Sequence, residues 1–286
     1  MLHVNQVSKF FNANSADEKM ALSHIQLYLQ SGDFVTVIGS NGAGKSTLMN
    51  IISGMITSDV GSVSINGHDV TYMPEHRRSR WIGRVFQDPM AGTAPDMTIE
   101  ENMAIALKRA AKRRLGIGVT RSRRALFKEE LSRLKLGLEN RLNAKVGLLS
   151  GGERQALSLL MATFTQPSIL LLDEHTAALD PGRAELITRL TDEIVHASSL
   201  TTLMVTHNME QAIRLGNRLI MMDKGKIVLD IPAKVKQTLT IDSLLREFER
   251  VRGEKFVDDR VVLGGDSNFF HPARNILQEL DRFESL

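Results

Sequence analysis

The sequence contains one glycine-rich segment whose residue types suit the binding of phosphate groups. Residues 39–46 read GSNGAGKS and follow the apolar run FVTVI at residues 34–38. Glycines let successive backbone N–H groups turn toward an anion, and a helix beginning near Lys45 would point its positive end at the same place. The Lys45 ammonium can neutralise phosphate charge, and the Ser46 hydroxyl can ligate Mg²⁺. This segment, the phosphate loop, therefore predicts a nucleoside triphosphate site.

Paired carboxylates follow a second apolar run, ILLL at residues 169–172. Asp173 is placed to hold Mg²⁺, usually through water, and Glu174 is placed to polarise an attacking water. An acidic pair after a strand can also be an ordinary helix cap. The phosphate loop in the same chain favours the hydrolytic interpretation.

Two further polar residues come directly after apolar runs. His207 follows residues 202–205, and Gln87 follows residues 85–86. Parallel strands bring their carboxyl ends to one edge of a sheet, where α/β folds bind ligands, so His207 is a candidate contact for the γ-phosphate. A lone histidine is also commonly structural, here beside Asn208 as a helix N-cap, and a lone glutamine carries little weight by itself.

The elements that must position these residues are mostly buried strands separated by helices. Short, nearly continuous apolar runs are typical of strands buried on both faces of a parallel sheet. Two segments predict antiparallel strands instead: residues 62–66 alternate, and residues 219–229 read as a hairpin turning at residues 223–225.

The helices have recognisable start and stop signals. Residues 98–101, TIEE, form a capping-box pattern that opens a helix extending to about Lys112. Asp180 followed by proline predicts another helix start. Pro167 is expected to end the helix that begins after residue 152.

Composition limits the classes of protein that this chain can be. Its 286 residues suit one large α/β domain or a domain with an appendage, and the absence of cysteine excludes disulfides and thiol chemistry. We see no signal peptide and no apolar stretch near the ~20 residues that span a bilayer, so a membrane role would act through a partner. Residues 108–128 carry many Lys and Arg but no Asp or Glu, which indicates a solvated helix face or a surface for an acidic partner, lipid headgroups or nucleic acid.

Residues 149–155, LSGGERQ, closely resemble the signature sequence of ABC (ATP-binding cassette) ATPases. The other motifs follow in the order of that family, and the resemblance covers roughly residues 1–240. It implies an α/β fold with a P-loop NTPase (RecA-like) core, an antiparallel β-subdomain and an inserted helical subdomain at about residues 88–148. Residues 241–286 would then form a helical C-terminal extension.

The resemblance also implies how the site is built: two subunits, expected to be copies of one chain, sandwich two ATP molecules head to tail. The residues expected to bind ATP are Phe11 (with Phe10 as the alternative adenine-stacking ring), Gly39, Ser40, Asn41, Gly42, Ala43, Gly44, Lys45, Ser46 and Thr47. Those expected to act in catalysis are Lys45, Gln87, Glu174 and His207, and those expected to hold Mg²⁺ are Ser46, Gln87 and Asp173. Those expected to reach ATP on the opposite subunit are Ser150, Gly151, Gly152 and Gln155, with Asp180 crossing the interface. His175 stands where many family members have proline, and it is left without a role.

The partners follow from the same resemblance. Transporter motors of this family dock a helical segment, here between Gln87 and Leu149, onto a multi-span membrane permease. Residues 87–93 and 173–180 resemble an importer branch that works with tryptophan/tyrosine-type substrate-binding lipoproteins, which implies import of a small, amino-acid-like solute from a place at the cytoplasmic face of the membrane. The alternative is a soluble ABC ATPase of a non-transport assembly, such as iron–sulfur cluster assembly. A nucleic-acid partner is not expected.

Overall fold

The computed structural model describes residues 1–13, 15, 17–109 and 118–250. The chain divides into two compact units, Met1–Gln237 and Thr238–Leu286. In the second unit, residues 241–250 are helical, and the part of the predicted extension beyond residue 250 lies outside the described residues. The predicted boundaries at residues 240/241 and at about 88–148 stay predictions. No helix within the described ranges combines the length and the apolar character needed to cross a bilayer.

A six-stranded, mostly parallel sheet forms the centre of the first unit. Its strands are β3 (Phe34–Gly39), β6 (Ile82–Val85), β7 (Ile169–Asp173), β8 (Thr201–Val205), β9 (Arg218–Asp223) and β10 (Lys226–Ile231). They lie in the order β10-β9-β3-β8-β7-β6, with only β10 antiparallel to its neighbour. The carboxyl ends of β3, β7 and β8 therefore meet at one edge.

A second, antiparallel sheet accompanies the first. Its strands are β1 (Leu2–Phe11), β2 (Lys19–Leu29), β4 (Val60–Ile65) and β5 (His68–Asp69), in the order β2-β1-β4-β5. The predicted hairpin is also confirmed: β9 and β10 turn through Lys224 and Gly225, both at positive φ (44° and 75°). Two left-handed residues in a short turn match the twist of the flanking strands.

Helices connect the strands and pack against the sheets. They are α1 (Lys45–Ser53), α2 (Glu75–Arg78), α3 (Ile99–Leu107), α4 (Arg121–Ser132), α5 (Gly151–Thr163), α6 (Pro181–Ala197), α7 (Met209–Arg214) and α8 (Ala233–Lys236). Short 3₁₀ turns lie at Leu138–Asn140 and Val146–Leu148.

Alternate residues of β7 contribute to two separate hydrophobic clusters. Leu170 and Leu172 pack with apolar residues of α3, α4, α5 and α6, whereas Ile169 and Leu171 pack with α1 and the antiparallel sheet. Each of these side chains is fully buried, which stabilises the fold by roughly 1.5–3 kcal/mol per residue. The prediction of strands buried on both faces is thus confirmed, and the strand is fixed firmly enough to hold the polar residues at its end.

Helix starts agree with the sequence signals, but two helix ends do not. Thr98 and Glu101 form the predicted capping box, and Asp180 caps α6. The prediction that the first of these helices extends to about Lys112 is wrong, because α3 ends at Leu107 and the buried Arg109 guanidinium instead donates to carbonyls of α5. Residues 110–117 lie outside the described part.

The predicted stop of α5 at Pro167 is also wrong. The helix ends at Thr163, where the side-chain hydroxyl donates back to the carbonyls of Leu159 and Leu160. Gln166 then adopts a left-handed φ of 48°. The helix therefore ends four residues before the proline.

Candidate functional site

The phosphate loop joins β3 to α1 in a conformation that glycine makes possible. Gly39 and Gly44 have φ values of 154° and 96°, and a Cβ at either position would lie within 2.6 Å of a backbone oxygen, of Met222 or Ala21. Gly44 is the N-cap of α1 and has no side chain to occupy the first N–H groups of the helix. Those groups are the kind of donor set that binds phosphate oxygens.

Lys45 lies inside this loop with only 6% of its surface exposed. Its Nζ donates to the carbonyl oxygens of Gly39 at 2.8 Å and Ser40 at 3.0 Å. Burial lowers the pKa of Lys45 below its ordinary value, while the charges of Glu174 and Asp173 act to raise it. The structure therefore brings the predicted phosphate-binding lysine and both predicted carboxylates into one electrostatic site.

Glu174 and His207 lie together at the ends of the neighbouring strands β7 and β8. The Glu174 Oε2 atom is 3.5 Å from the His207 Nδ1 atom, with the carboxylate side chain 20% exposed and the imidazole 61% exposed. The Glu174 backbone has a positive φ of 45°, and its N–H donates to the carbonyl of Val205. A carboxylate beside an imidazole at an open edge can orient and polarise a water molecule.

Asp173 has a partner that the sequence did not indicate. Arg84 on β6 donates from Nη2 to Asp173 Oδ2 at 3.0 Å and from Nη1 to Ser53 Oγ at 3.1 Å. Its guanidinium carbon lies 4.7 Å from the centre of the Phe86 ring. Arg84 thus connects Asp173 to the end of α1 and to the residue before Gln87. The feature of the sequence that could have indicated this contact is a basic residue three positions before Gln87.

His175 is fully enclosed behind Glu174. Its Nε2 lies 3.0 Å from the Thr191 hydroxyl, and that hydroxyl donates its own proton to the carbonyl of Ile187. The His175 Nε2 is therefore the donor, and its Nδ1 is a buried acceptor with no partner among the described residues. Burial lowers the pKa of His175 to about 4, so the ring is neutral at physiological pH.

The remaining predicted residues differ in exposure. Gln87 is exposed just beyond β6. Phe11 ends β1 and is 40% exposed, with the Lys9 ammonium 5.8 Å from the centre of its ring, while Phe10 is half-buried. Asn41, Gly42 and Ser46 are exposed, and Thr47 is half-buried.

The signature residues form the start of α5. Ser150 is the N-cap of α5, and its Oγ accepts a hydrogen bond from the Glu153 N–H. The Glu153 carboxylate in turn accepts one from the Ser150 N–H. Gly151 and Gly152 form the first helical positions, packed near Leu179 and Arg183. Asp180 begins α6 beside them and is largely exposed.

Gln155 does not lie where the resemblance places it. Its side chain is completely buried, and Nε2 donates to the carbonyl of Phe86 at 3.2 Å. A buried amide is not available to contact ATP on a second subunit, so the expectation for this residue is corrected. Gln155 instead holds the backbone just before Gln87 against α5.

Comparison with known proteins gives consistent matches. Residues 22–177 match the sequence model of the ABC transporter family. A tyrosine transport ATP-binding protein of Clostridioides difficile is 42% identical over 249 residues, which cover 87% of this chain and 99% of that protein. A methionine import ATP-binding protein of Enterococcus faecalis is 34% identical over 231 residues, which cover 80% of this chain and 64% of that protein.

The fold also matches a solved structure. A dimeric ATP-binding cassette in a post-hydrolysis state, bound to ADP and Pi, superposes with a TM-score of 0.69 at 28% identity. The match covers 82% of this chain and 99% of that one. The expected P-loop NTPase fold of mixed α/β sheets is confirmed.

Proposed function

The chain belongs to the ABC transporter family of ATP-binding, ATP-hydrolysing cassettes, and from that membership we propose that it powers import of a small solute through a membrane permease. The 3.5 Å approach of Glu174 to His207, beside the phosphate loop, is the observation that carries the hydrolytic half of this proposal. The likeness to ATP-binding proteins of tyrosine and methionine transport supports the other half.

Each residue of the site has a role in the proposed hydrolysis. The N–H groups of the phosphate loop and the Lys45 ammonium bind the β- and γ-phosphates. Glu174 polarises the attacking water, and His207 contacts the γ-phosphate. Phe11 stacks on adenine.

The oxygen and amide groups at this edge also fit a magnesium ion. The Ser46 hydroxyl, the Asp173 carboxylate and the Gln87 amide supply hard ligands, and Mg²⁺ is usually held by one or two such groups together with phosphates and water. When bound, the ion neutralises charge that develops on the phosphates. Arg84 holds the Asp173 carboxylate through an ion pair at 3.0 Å.

We place a second cassette against the start of α5. Ser150, Gly151 and Gly152 form a helix N-terminus that favours anions, so it can meet the γ-phosphate bound by another copy of the chain. Asp180, exposed next to this helix start, would cross the same interface. The dimeric arrangement of the related solved cassette supports this head-to-tail assembly.

The transport partner is a multi-span permease at the cytoplasmic face of the membrane, with a substrate-binding lipoprotein acting indirectly. The solute would be amino-acid-like, because the 42%-identical relative is a tyrosine transport protein matched over 99% of its length. ATP-driven closure and hydrolysis-driven opening of the two-cassette sandwich would switch the permease between its two sides.

Affinity capture tests the transport proposal. The Glu174→Gln protein is captured with ATP and Mg²⁺ from detergent-solubilised membranes of its host, and Lys45→Ala serves as the nucleotide-binding control. A multi-span protein recovered in a fixed ratio with Glu174→Gln, and with lower yield for Lys45→Ala, is the expected result. Recovery of soluble proteins alone would contradict the transport role and leave the ATPase assignment standing.

A further inference from the structure

A buried amide, Gln211 in α7, joins the chain segments that follow β7 and β8. Its Oε1 accepts a hydrogen bond from the Thr206 hydroxyl at 3.1 Å, and its Nε2 lies 3.1 Å from the Thr176 Oγ1. Nε2 also donates to the Thr188 Oγ1 on α6 at 2.6 Å. All four side chains are buried, with between 1% and 9% of their surface exposed. One side chain therefore connects the segment after β8, to which it belongs, with the segment after β7 and with α6.

The hydrogen bonds of the neighbouring hydroxyls fix how this amide points. Thr188 donates its only proton to the carbonyl of Ala184 at 2.7 Å, so it can only accept from Gln211. The Gln211 NH₂ must then face Thr188, and its carbonyl oxygen must face Thr206. The Thr206 oxygen also accepts from the Asn208 N–H, which leaves its proton for Gln211. The Thr176 Oγ1 lies 3.1 Å from Nε2 and 3.3 Å from Oε1, so its oxygen can accept from the second Nε2 proton while its own proton can be donated to Oε1.

The threonines that Gln211 holds are close to the two residues proposed for hydrolysis. Thr176 comes two residues after Glu174, and Thr206 immediately precedes His207. Glu174 has a left-handed backbone conformation, which costs a non-glycine residue on the order of 1 kcal/mol and persists only where the surroundings hold it. The bond from Gln211 to Thr176 is one of the contacts that hold this turn.

We propose that Gln211 is a positioning residue for ATP hydrolysis: by joining Thr176 to Thr206, it sets the distance between the Glu174 carboxylate and the His207 imidazole. The inference rests on the roles proposed above for those two residues. The contact with Thr188 extends the connection to α6, whose N-cap Asp180 we place at the subunit interface.

Steady-state kinetics of Gln211→Met tests this role, because methionine keeps the approximate shape of glutamine and removes its hydrogen bonds. We expect kcat to fall roughly 10- to 100-fold, as for other small misplacements of catalytic groups. The KM for ATP and the dissociation constant of a fluorescent ATP analogue should change less than about twofold, since the phosphate loop is untouched. A folded Gln211→Met protein with wild-type kcat would overturn the proposal.

A pair of variants at Thr206 separates positioning from general loss of stability. Thr206→Val should lower kcat as Gln211→Met does, and Thr206→Ser should regain most of that loss because it restores the hydroxyl. The matched control is Thr163→Val, which removes a buried hydroxyl whose partners among the described residues are carbonyls of α5, and it should reduce the melting temperature without the same loss of kcat. Equal effects of Thr206→Val and Thr163→Val on kcat would contradict the proposal, as would no recovery in Thr206→Ser.

Combining the variants shows whether they act through one connection. In the Gln211→Met background, Thr206→Val should reduce kcat by a smaller factor than it does in the wild-type protein, because its bond to Gln211 is already absent and only its bond to the Asn208 N–H remains to be lost. Independent, multiplicative effects would contradict a shared role. Near-normal hydrolysis by Glu174→Gln would instead refute the proposed function of Glu174. That result differs from any of the kcat comparisons among the Gln211 and Thr206 variants, so the two failures can be told apart.

Discussion

At the scale of single residues, three of the proposed site residues are held by neighbours that take no part in the chemistry. Arg84 holds Asp173, and the segments bearing Glu174 and His207 are joined through Gln211. His175, the residue after Glu174, donates to the Thr191 hydroxyl on α6. Such second contacts restrict a side chain to one geometry, and this restriction makes proximity useful in catalysis.

The first prediction concerns Glu174. Replacement by glutamine keeps the shape of the side chain and removes the basic carboxylate, so we expect kcat to fall by about 100-fold or more while ATP binding is retained. Phosphate release and equilibrium ATP titration on the same preparation measure the two quantities. Near-normal turnover would show that another group polarises the water.

At the scale of elements, buried cations connect helix ends to the sheets. Arg78 is 1% exposed, and its guanidinium donates to the carbonyls of Ile51 and Ile52 at the end of α1, as well as to Thr71 and Met73. The helix that begins at the phosphate loop is therefore fixed at both ends.

The second prediction follows from Arg78. Arg78→Met would leave several buried carbonyls without donors, so we expect the free energy of unfolding to fall by roughly 3–5 kcal/mol. Urea denaturation measures this, with the exposed neighbour Arg77→Met as a control that should change stability by less than about 0.5 kcal/mol. Similar losses for the two variants would contradict the capping role.

The third prediction concerns pH. Lys236 in α8 donates to the Leu215 carbonyl and the Thr36 hydroxyl, and burial lowers its pKa to about 8 from 10.5. Between these two values the unfolded chain binds more protons than the folded chain, so raising the pH stabilises the folded state. The contribution should reach roughly 2–3 kcal/mol by pH 10.5.

Urea unfolding between pH 7 and 10.5 tests this pH dependence, because the wild-type protein can be compared with a variant that lacks Lys236. The stability of the wild-type protein should rise relative to that of Lys236→Met, in which the titrating group is missing. Lys234→Met, at an exposed position of the same helix, should follow the wild-type curve. Parallel curves for the wild type and Lys236→Met would contradict the assignment.

Features that a few consecutive residues specify could be predicted from the sequence, whereas features that depend on contacts between distant residues could not. The strand before Gly39, the capping box at Thr98 and the turn at Lys224 are each specified by a few consecutive residues, so they could be recognised in the sequence. The pairing of Arg84 with Asp173 joins residues 89 positions apart, and Gln211 lies 35 positions from Thr176. No local pattern contains such a contact.

The same distinction applies to two of the expectations that were wrong. Gln155 belongs to a motif that suggests an exposed site, yet its own side chain faces the carbonyl of Phe86, 69 positions away. Arg109, two residues after the end of α3, donates to carbonyls of α5 that are 52 and 53 positions away. In both cases the side chain makes a tertiary hydrogen bond that no local sequence pattern contains.

At the scale of the whole molecule, the proposed site is divided between two copies of the chain. The phosphate loop of one copy and the start of α5 in the other must approach one ATP. This division makes assembly testable without any permease.

The fourth prediction is that a negative charge at Gly151 prevents this assembly. A Cβ there would meet only the Leu179 side chain at 3.4 Å, so Gly151→Asp should fold and bind ATP as a monomer. Its carboxylate would repel the γ-phosphate at the helix start. Analytical ultracentrifugation with ATP should show dimers for Glu174→Gln and monomers for Glu174→Gln/Gly151→Asp. Dimers in both would contradict the interface.

The order of the central sheet also affects how the chain can fold during its synthesis. β8 lies between β3 and β7 in space, yet it is made after both of them. A nascent chain that has left the ribosome only as far as α6 therefore contains both neighbours of β8 and Glu174, but it lacks β8 and His207. Since proteins are made from the N-terminus onward, most of the chain must emerge before ATP hydrolysis can begin. The sheet order thus delays completion of the central sheet until β8 has emerged.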